Sequence, residues 1–291
     1  MERQTLRLGP RSYDVTHRAL VMGILNRTPD SFYDQGETYA LDALLAKAER
    51  LVDDGADILD VGGVKAGPGP EVGEEEEMER VVPAIEALAA RFDVPLSIDT
   101  WRASVLDACC AAGAVVGNDI SGFADPDYLP VAAKAGAAVV ATHIRLRPRV
   151  PDPEPEYDDL VEDVVRFLAD RGARAVEAGI PPESVMVDAG LDLGKTPAMS
   201  AVLLRESDRL ADLGFPLLLS ASNKRFIGEL LDLAIDDRRA ESLTSVAYGV
   251  MHRCRVVRVH DVRGSLRLVR MVEAMLEAEA EMAAEAAEVR S

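Results

Sequence analysis

Positive charge is in short supply in this chain: 32 Lys and Arg stand against 51 Asp and Glu, a formal charge of −19. Nucleic acid and anionic membrane surfaces both demand a basic face, so neither is expected as a partner. Cysteine is almost as scarce. Cys109, Cys110 and Cys254 are odd in number and lack metal-ligand spacing, which predicts reduced, buried thiols in a cytoplasmic protein. No apolar run is long enough to span a bilayer and no amino-terminal apolar core of a leader is visible, so a soluble intracellular protein is expected. A Pro/Gly/Ser-rich linker is also lacking. The prolines at 148, 151, 153 and 155 read instead as a surface loop after a fifth strand.

What the chain does have is a repeated pattern. Apolar runs of four to six residues end on polar groups: Asn26, Asp60, Asp99, Asn118 with Asp119, His143, Asp188, Asn223 with Lys224, and Arg258 with His260. A helix-length amphipathic stretch separates each ending from the next. Polar groups gathered at the carboxyl ends of parallel strands are how a (β/α)8 TIM barrel builds an active site.

The strands are predicted at Leu20 to Leu25, Asp57 to Val61, Pro95 to Ile98, Ala114 to Ile120, Ala137 to Thr142, Ser184 to Val187, Pro216 to Ala221 and Arg255 to Val259. Gly-Ala pairs at 55–56, 113–114 and 136–137 mark helix ends just before strands. Residues 1–19 read as an amino-terminal β-hairpin segment, 20–278 as the barrel and 279–291 as an acidic helical or frayed tail. Acidic residues cluster at Glu74 to Glu79, where a helix would begin, and from Glu273 to Glu288. Both runs read as solvated helix faces, the first also favoured by the helix dipole.

Seven motifs fall in order at these strand ends: Asn26-Arg27-Thr28-Pro29-Asp30-Ser31-Phe32, Asp60-Val61-Gly62-Gly63, Ser97-Ile98-Asp99-Thr100, Gly117-Asn118-Asp119-Ile120-Ser121-Gly122, Asp188-Ala189-Gly190, Ser222-Asn223-Lys224-Arg225-Phe226-Ile227-Gly228 and Arg258-Val259-His260-Asp261-Val262. Together they resemble the dihydropteroate synthase family of pterin-binding barrels over nearly the whole chain. Gly190 to Thr196 imitates a nucleotide phosphate loop, but only three residues separate its glycines where four are needed, and nucleotide binding is rejected.

The resemblance implies a transferase of folate biosynthesis that joins a pterin diphosphate to p-aminobenzoate. Asp60, Asp99, Asn118, Asp188 and Lys224 would bind the substrate, since carboxylates accept paired N–H donors and an amide both donates and accepts. Arg258 and His260, two apart on one strand and so on one side, would hold the diphosphate and, with Asn26, form the catalytic set. Asn26 would also be a ligand of Mg2+. A structural bond at the strand end remains equal to a substrate role for His143, and His17 and His252 stand apart. A homodimer is implied by the resemblance alone.

Departures concentrate in the loops. After Gly63 the chain runs Val64-Lys65-Ala66-Gly67-Pro68-Gly69 where Glu-Ser-Thr-Arg-Pro-Gly is usual, and Arg27, Asp192, Asn223 and Arg225 replace other residues. The chain therefore also resembles the divergent second paralogue of actinobacteria. The alternative reading is a protein that binds pterin without making dihydropteroate, through another acceptor or as a binding or regulatory protein. A methyl-transferring pterin barrel is a third reading, disfavoured because methyl transfer needs no diphosphate subsite.

Overall fold

The structure is a computed structural model and describes residues 3–26, 37–65, 67, 69 and 71–288. Two short antiparallel strands come first, β1 (Thr5–Leu8) and β2 (Arg11–Asp14). Eight parallel strands then close a barrel: β3 (Leu20–Asn26), β4 (Ile58–Gly62), β5 (Leu96–Asp99), β6 (Val116–Asp119), β7 (Ala138–Thr142), β8 (Val185–Asp188), β9 (Leu217–Leu219) and β10 (Cys254–Val259). Strand β10 pairs with both β9 and β3, so the sheet has no free edge.

The helices on the outside are α1 (Glu37–Asp53), α2 (Glu74–Arg91), α3 (Ala103–Ala112), α4 (Tyr128–Ala135), α5 (Leu160–Glu177), α6 (Pro197–Arg205), α7 (Ser207–Ala211), α8 (Arg225–Leu231), α9 (Arg239–Met251) and α10 (Val262–Glu288). The expected (β/α)8 barrel with an amino-terminal hairpin is what the chain forms. Gly55, Gly113 and Gly136 take left-handed φ values of +92°, +119° and +67°, a conformation nearly free of cost only for glycine. They turn the chain from helix into strand as the Gly-Ala pairs predict.

Several boundaries move, each for a local reason. Asp57 lies outside β4 because its carboxylate accepts the Val21 backbone N–H at 2.9 Å and pairs with Arg18. The helical stretch after β8 is two helices, α6 and α7, since the Ser207 hydroxyl donates to the Leu204 carbonyl at 2.6 Å and ends α6. Cys109 and Cys254 are buried as expected, whereas Cys110 is only half-buried. Among the described residues, no helix is long and apolar enough to cross a membrane.

Strand alternation sorts the side chains into two cores. Leu59, Val61, Leu96, Ile98, Val139, Val187 and Val257 point outward and pack under the helices. Leu20, Met22, Ile58, Val116, Val140, Met186, Leu218 and Val256 point inward with Leu6, Leu8 and Val15 from the hairpin, plugging the amino-terminal end of the barrel. Two residues further along the same strands, the inward positions become Asp60, Asn118, Asp188 and Arg258. The barrel interior is therefore apolar at one end and charged at the other.

Candidate active site

The charged end centres on Arg258. Its Nε donates to Asp60 Oδ2 at 2.6 Å and its Nη2 to Asp99 Oδ2 at 2.9 Å, so one guanidinium spans β4 and β5 from β10. Asp60 is wholly buried and its oxygens are taken: Ser97 Oγ donates at 2.6 Å and Asn118 Nδ2 lies 3.4 Å away. Asp99 keeps 16% of its side chain exposed. Burial first, and then the nearby carboxylate of Asp60, raise the Asp99 carboxyl to about 7 despite the opposing Arg258 charge. One guanidinium between two carboxylates leaves an uncompensated negative charge, which adds to burial in favouring a proton on Asp99.

Asp188 stands across the mouth on β8. Its Oδ1 accepts the Gly190 N–H at 2.8 Å. Burial raises its carboxyl, with Lys224 opposing the shift. Lys224 donates from Nζ to the Leu191 carbonyl at 2.6 Å; burial lowers its amine and Asp188 counteracts. Asn26 ends β3. Its Oδ1 and the Oδ2 of Asp99 each lie 3.7 Å from the point where a Cβ on Gly62 would sit. Glycine at that position leaves space between two oxygen donors from neighbouring strands. The rest of the first motif, Arg27 to Phe32, lies outside the described residues, as does Ala66.

His260 sits at the rim, past the end of β10. Its backbone N–H donates to Ser222 Oγ at 3.2 Å, and that hydroxyl is 3.0 Å from its Nδ1. Desolvation, then the charges of Arg258 and Lys47, hold the imidazole down to about 4. It is a neutral hydrogen-bonding group at pH 7, an arrangement the Arg258–His260 spacing does not reveal.

Asp119 and His143 are brought near the mouth but are used internally. Asp119 faces outward on β6 and accepts the backbone N–H groups of Ser121 (2.6 Å) and Phe123 (2.8 Å), folding the loop behind the strand. His143 is 4% exposed, packs edge-on against Phe167 at 4.8 Å and lies 2.9 Å from Lys195 Nζ. Burial and the Lys195 charge push its imidazole to about 2. His252 is remote, hydrogen-bonded to Asp208 at 2.7 Å and stacked on Tyr248.

Sequence reasoning missed Lys195. It is 2% exposed, donates to the Leu193 and His143 carbonyls at 2.9 and 3.3 Å, and burial lowers its amine to about 7. The only signal was its place in the rejected phosphate-loop look-alike. Gly190 (φ +65°) passes so close to the His143 carbonyl that any Cβ there would collide with it, and Lys195 ties the same two loops together. Asn223 is tied to α9: its backbone N–H donates to Ser242 Oγ at 3.0 Å, and its side-chain oxygen accepts from that hydroxyl at 3.3 Å.

A closed barrel with inward carboxylates, amide and guanidinium at the carboxyl ends of its strands is a (β/α)8 barrel with its site at the mouth. The chain belongs to the family described as pterin binding enzyme, whose model matches residues 22–260. It is 40% identical over 275 residues to the dihydropteroate synthase of Bacillus subtilis, covering 94% of both chains. It is also 43% identical over 261 residues to the inactive dihydropteroate synthase 2 of Mycobacterium leprae, covering 88% of this chain and 90% of that one. The solved dihydropteroate synthase of Xanthomonas albilineans with 4-aminobenzoic acid superposes with a TM-score of 0.86 at 37% identity, covering 94% of this chain and 99% of that one.

Proposed function

We propose that the chain is a transferase of the dihydropteroate synthase type, moving a 7,8-dihydropterin-6-ylmethyl group from its diphosphate to the amine of p-aminobenzoate. The observation that carries this reading is the inward cluster of Asp99, Asn118, Asp188 and Lys224 around Arg258. Asp188 and Asn118 bind the amino-pyrimidinone edge of the pterin, and Lys224 donates to its far side. Asp60, with both oxygens occupied, holds Arg258 in place and does not touch the ring. The resemblance implies a substrate-binding role for Asp60; the role proposed here is to position Arg258. The C–O bond to the diphosphate breaks with its electron pair on the departing oxygen. The arylamine nitrogen forms the new C–N bond and releases a proton to water.

Arg258 and His260 receive the diphosphate, the first as a charged donor and the second as a neutral one. Magnesium, when bound, would neutralise charge on the leaving diphosphate. It favours oxygen ligands, often few of them from protein, and the Asn26 and Asp99 oxygens beside Gly62 suit it; Asn26 is the proposed ligand. Among the described residues, seven of the ten exposed large apolar side chains fall between Leu230 and Met282 on or beside α8, α9 and α10, which supports a homodimer through these helices. Its low cysteine content supports a cytoplasmic location.

A second reading, pterin binding without synthesis, draws on one observation: the Asn223 side-chain oxygen is already bonded to Ser242. Diphosphate release from 6-hydroxymethyl-dihydropterin diphosphate and magnesium, with and without p-aminobenzoate, tests both. Release that depends on p-aminobenzoate supports the synthase. Pterin binding without release overturns it in favour of the second reading.

A further inference from the structure

A cleft of about 270 Å³ lies over the loops that follow β7, β8 and β9, next to the residue after Lys224. Ile144, Leu146 and Val150 give it an apolar wall, with Leu146 42% and Val150 45% exposed. Arg149 and Arg225 add two guanidinium groups. The carboxylates that also line it are engaged within the chain. Asp152 takes both arms of Arg145 at 2.5 Å each, and Asp192 accepts the Phe226 N–H at 3.2 Å. Arg225 pairs with Glu229 at 3.2 Å yet leaves 62% of its side chain exposed. Arg149 holds a left-handed φ of +66°, a costly conformation for a side chain that large and one that clusters at ligand sites. An apolar wall together with two arginines, on a molecule of net charge −19, suits an aromatic body bearing more than one anionic group.

We propose that this cleft is the outer half of the acceptor site and selects an arylamine carrying a dicarboxylate arm over one with a single ring carboxylate. This rests on the transfer reading above. The aromatic ring lies along Ile144, Leu146 and Val150, the arm's carboxylates meet Arg225 and Arg149, and the amine points toward Lys224. The bonds made and broken are those already described, since only the acceptor changes.

Calorimetric titration of the full chain, saturated with inorganic diphosphate and magnesium, compares 4-aminobenzoate, N-(4-aminobenzoyl)-glutamate and uncharged 4-aminobenzamide. The dicarboxylate is expected to bind about tenfold or more tightly than the monocarboxylate, as follows from one added charge-assisted bond. The preference is expected to shrink with salt. Arg225→Ala and Arg149→Gly, the latter compatible with its left-handed backbone, are each expected to erase most of the preference. Equal affinities in the wild type, or a preference that survives both variants, overturn the proposal. Diphosphate release with 4-aminobenzoate, measured in parallel, tests the transfer reading separately, because the binding preference is read whether or not turnover occurs.

Discussion

The two ends of the barrel interior are built from the same strands and behave oppositely. At the amino-terminal end Leu20, Met22, Ile58, Val116 and Val256 close over Leu6 and Leu8 with no polar atom among their side chains. At the other end, one inward position further along those strands, Asp60 and Asn118 are buried and Arg258 is half-buried against them. Burial stabilises the first set and costs the second set desolvation that only mutual pairing offsets. The apolar end holds the barrel shut, so that the charged end can hold ionisable groups where water would otherwise separate them.

The largest effect is expected from cutting the charged end at its most buried point. Asp60→Ala removes the Nε partner of Arg258, leaving Asp99 as its remaining carboxylate, and is expected to cost about 3–5 kcal/mol of stability, as for other broken buried pairs, together with pterin affinity. Urea unfolding and pterin titration measure both; a stable variant with normal binding would sink the assignment of Asp60 as the anchor of Arg258. At the opposite end, Leu8→Ala is expected to lose about 2–5 kcal/mol of stability with ligand affinity unchanged. A loss of affinity there would show that the two ends are not independent.

Arg258→Ala sharpens the comparison by separating pairing from binding. Loss of a charged donor is worth about 1.5–3 kcal/mol, so the diphosphate-bearing pterin should weaken roughly tenfold to a hundredfold more than the bare pterin. Equal weakening of both ligands in parallel titrations would remove Arg258 from the diphosphate subsite. A further effect concerns pH. The folded Asp99 carboxyl keeps its proton to about 7, against 3.8 when exposed. Between those values the folded state binds the extra proton, so the contribution of Asp99 to stability falls as pH rises from about 4 to about 7. The difference in unfolding free energy between wild type and Asp99→Asn should fall by roughly 4 kcal/mol as pH rises across that window; a constant difference contradicts the raised value.

Much of the barrel was legible because its signals are local. Eight apolar runs punctuated by polar endings, with Gly-Ala turns ahead of the strands, are properties of short segments. The inward direction of Asp60, Asp99, Asn118 and Asp188 followed once the strands were placed, because side chains alternate with a period of two. Pairings that join distant segments were not legible. Asp60 and Arg258 are 198 residues apart, and nothing near Asp60 indicates that its oxygens are spent on Arg258 and Ser97. Lys195 was hidden for the same reason, its partner His143 lying 52 residues away. The break between α6 and α7 turned on one Ser207 hydroxyl reaching a carbonyl three residues back, too fine a signal for periodicity.

The sequence by itself determined the order of strands and helices, the polar residue at each strand end and the family to which those endings belong. Only the tertiary structure decided which groups remain open to a substrate. Closing the barrel packs Asp60, Asp119 and His143 against internal partners and leaves Asp99 partly exposed at the mouth. The reason is physical: a residue's type fixes what it can bond to, but its neighbours in space fix how much of that capacity is already used.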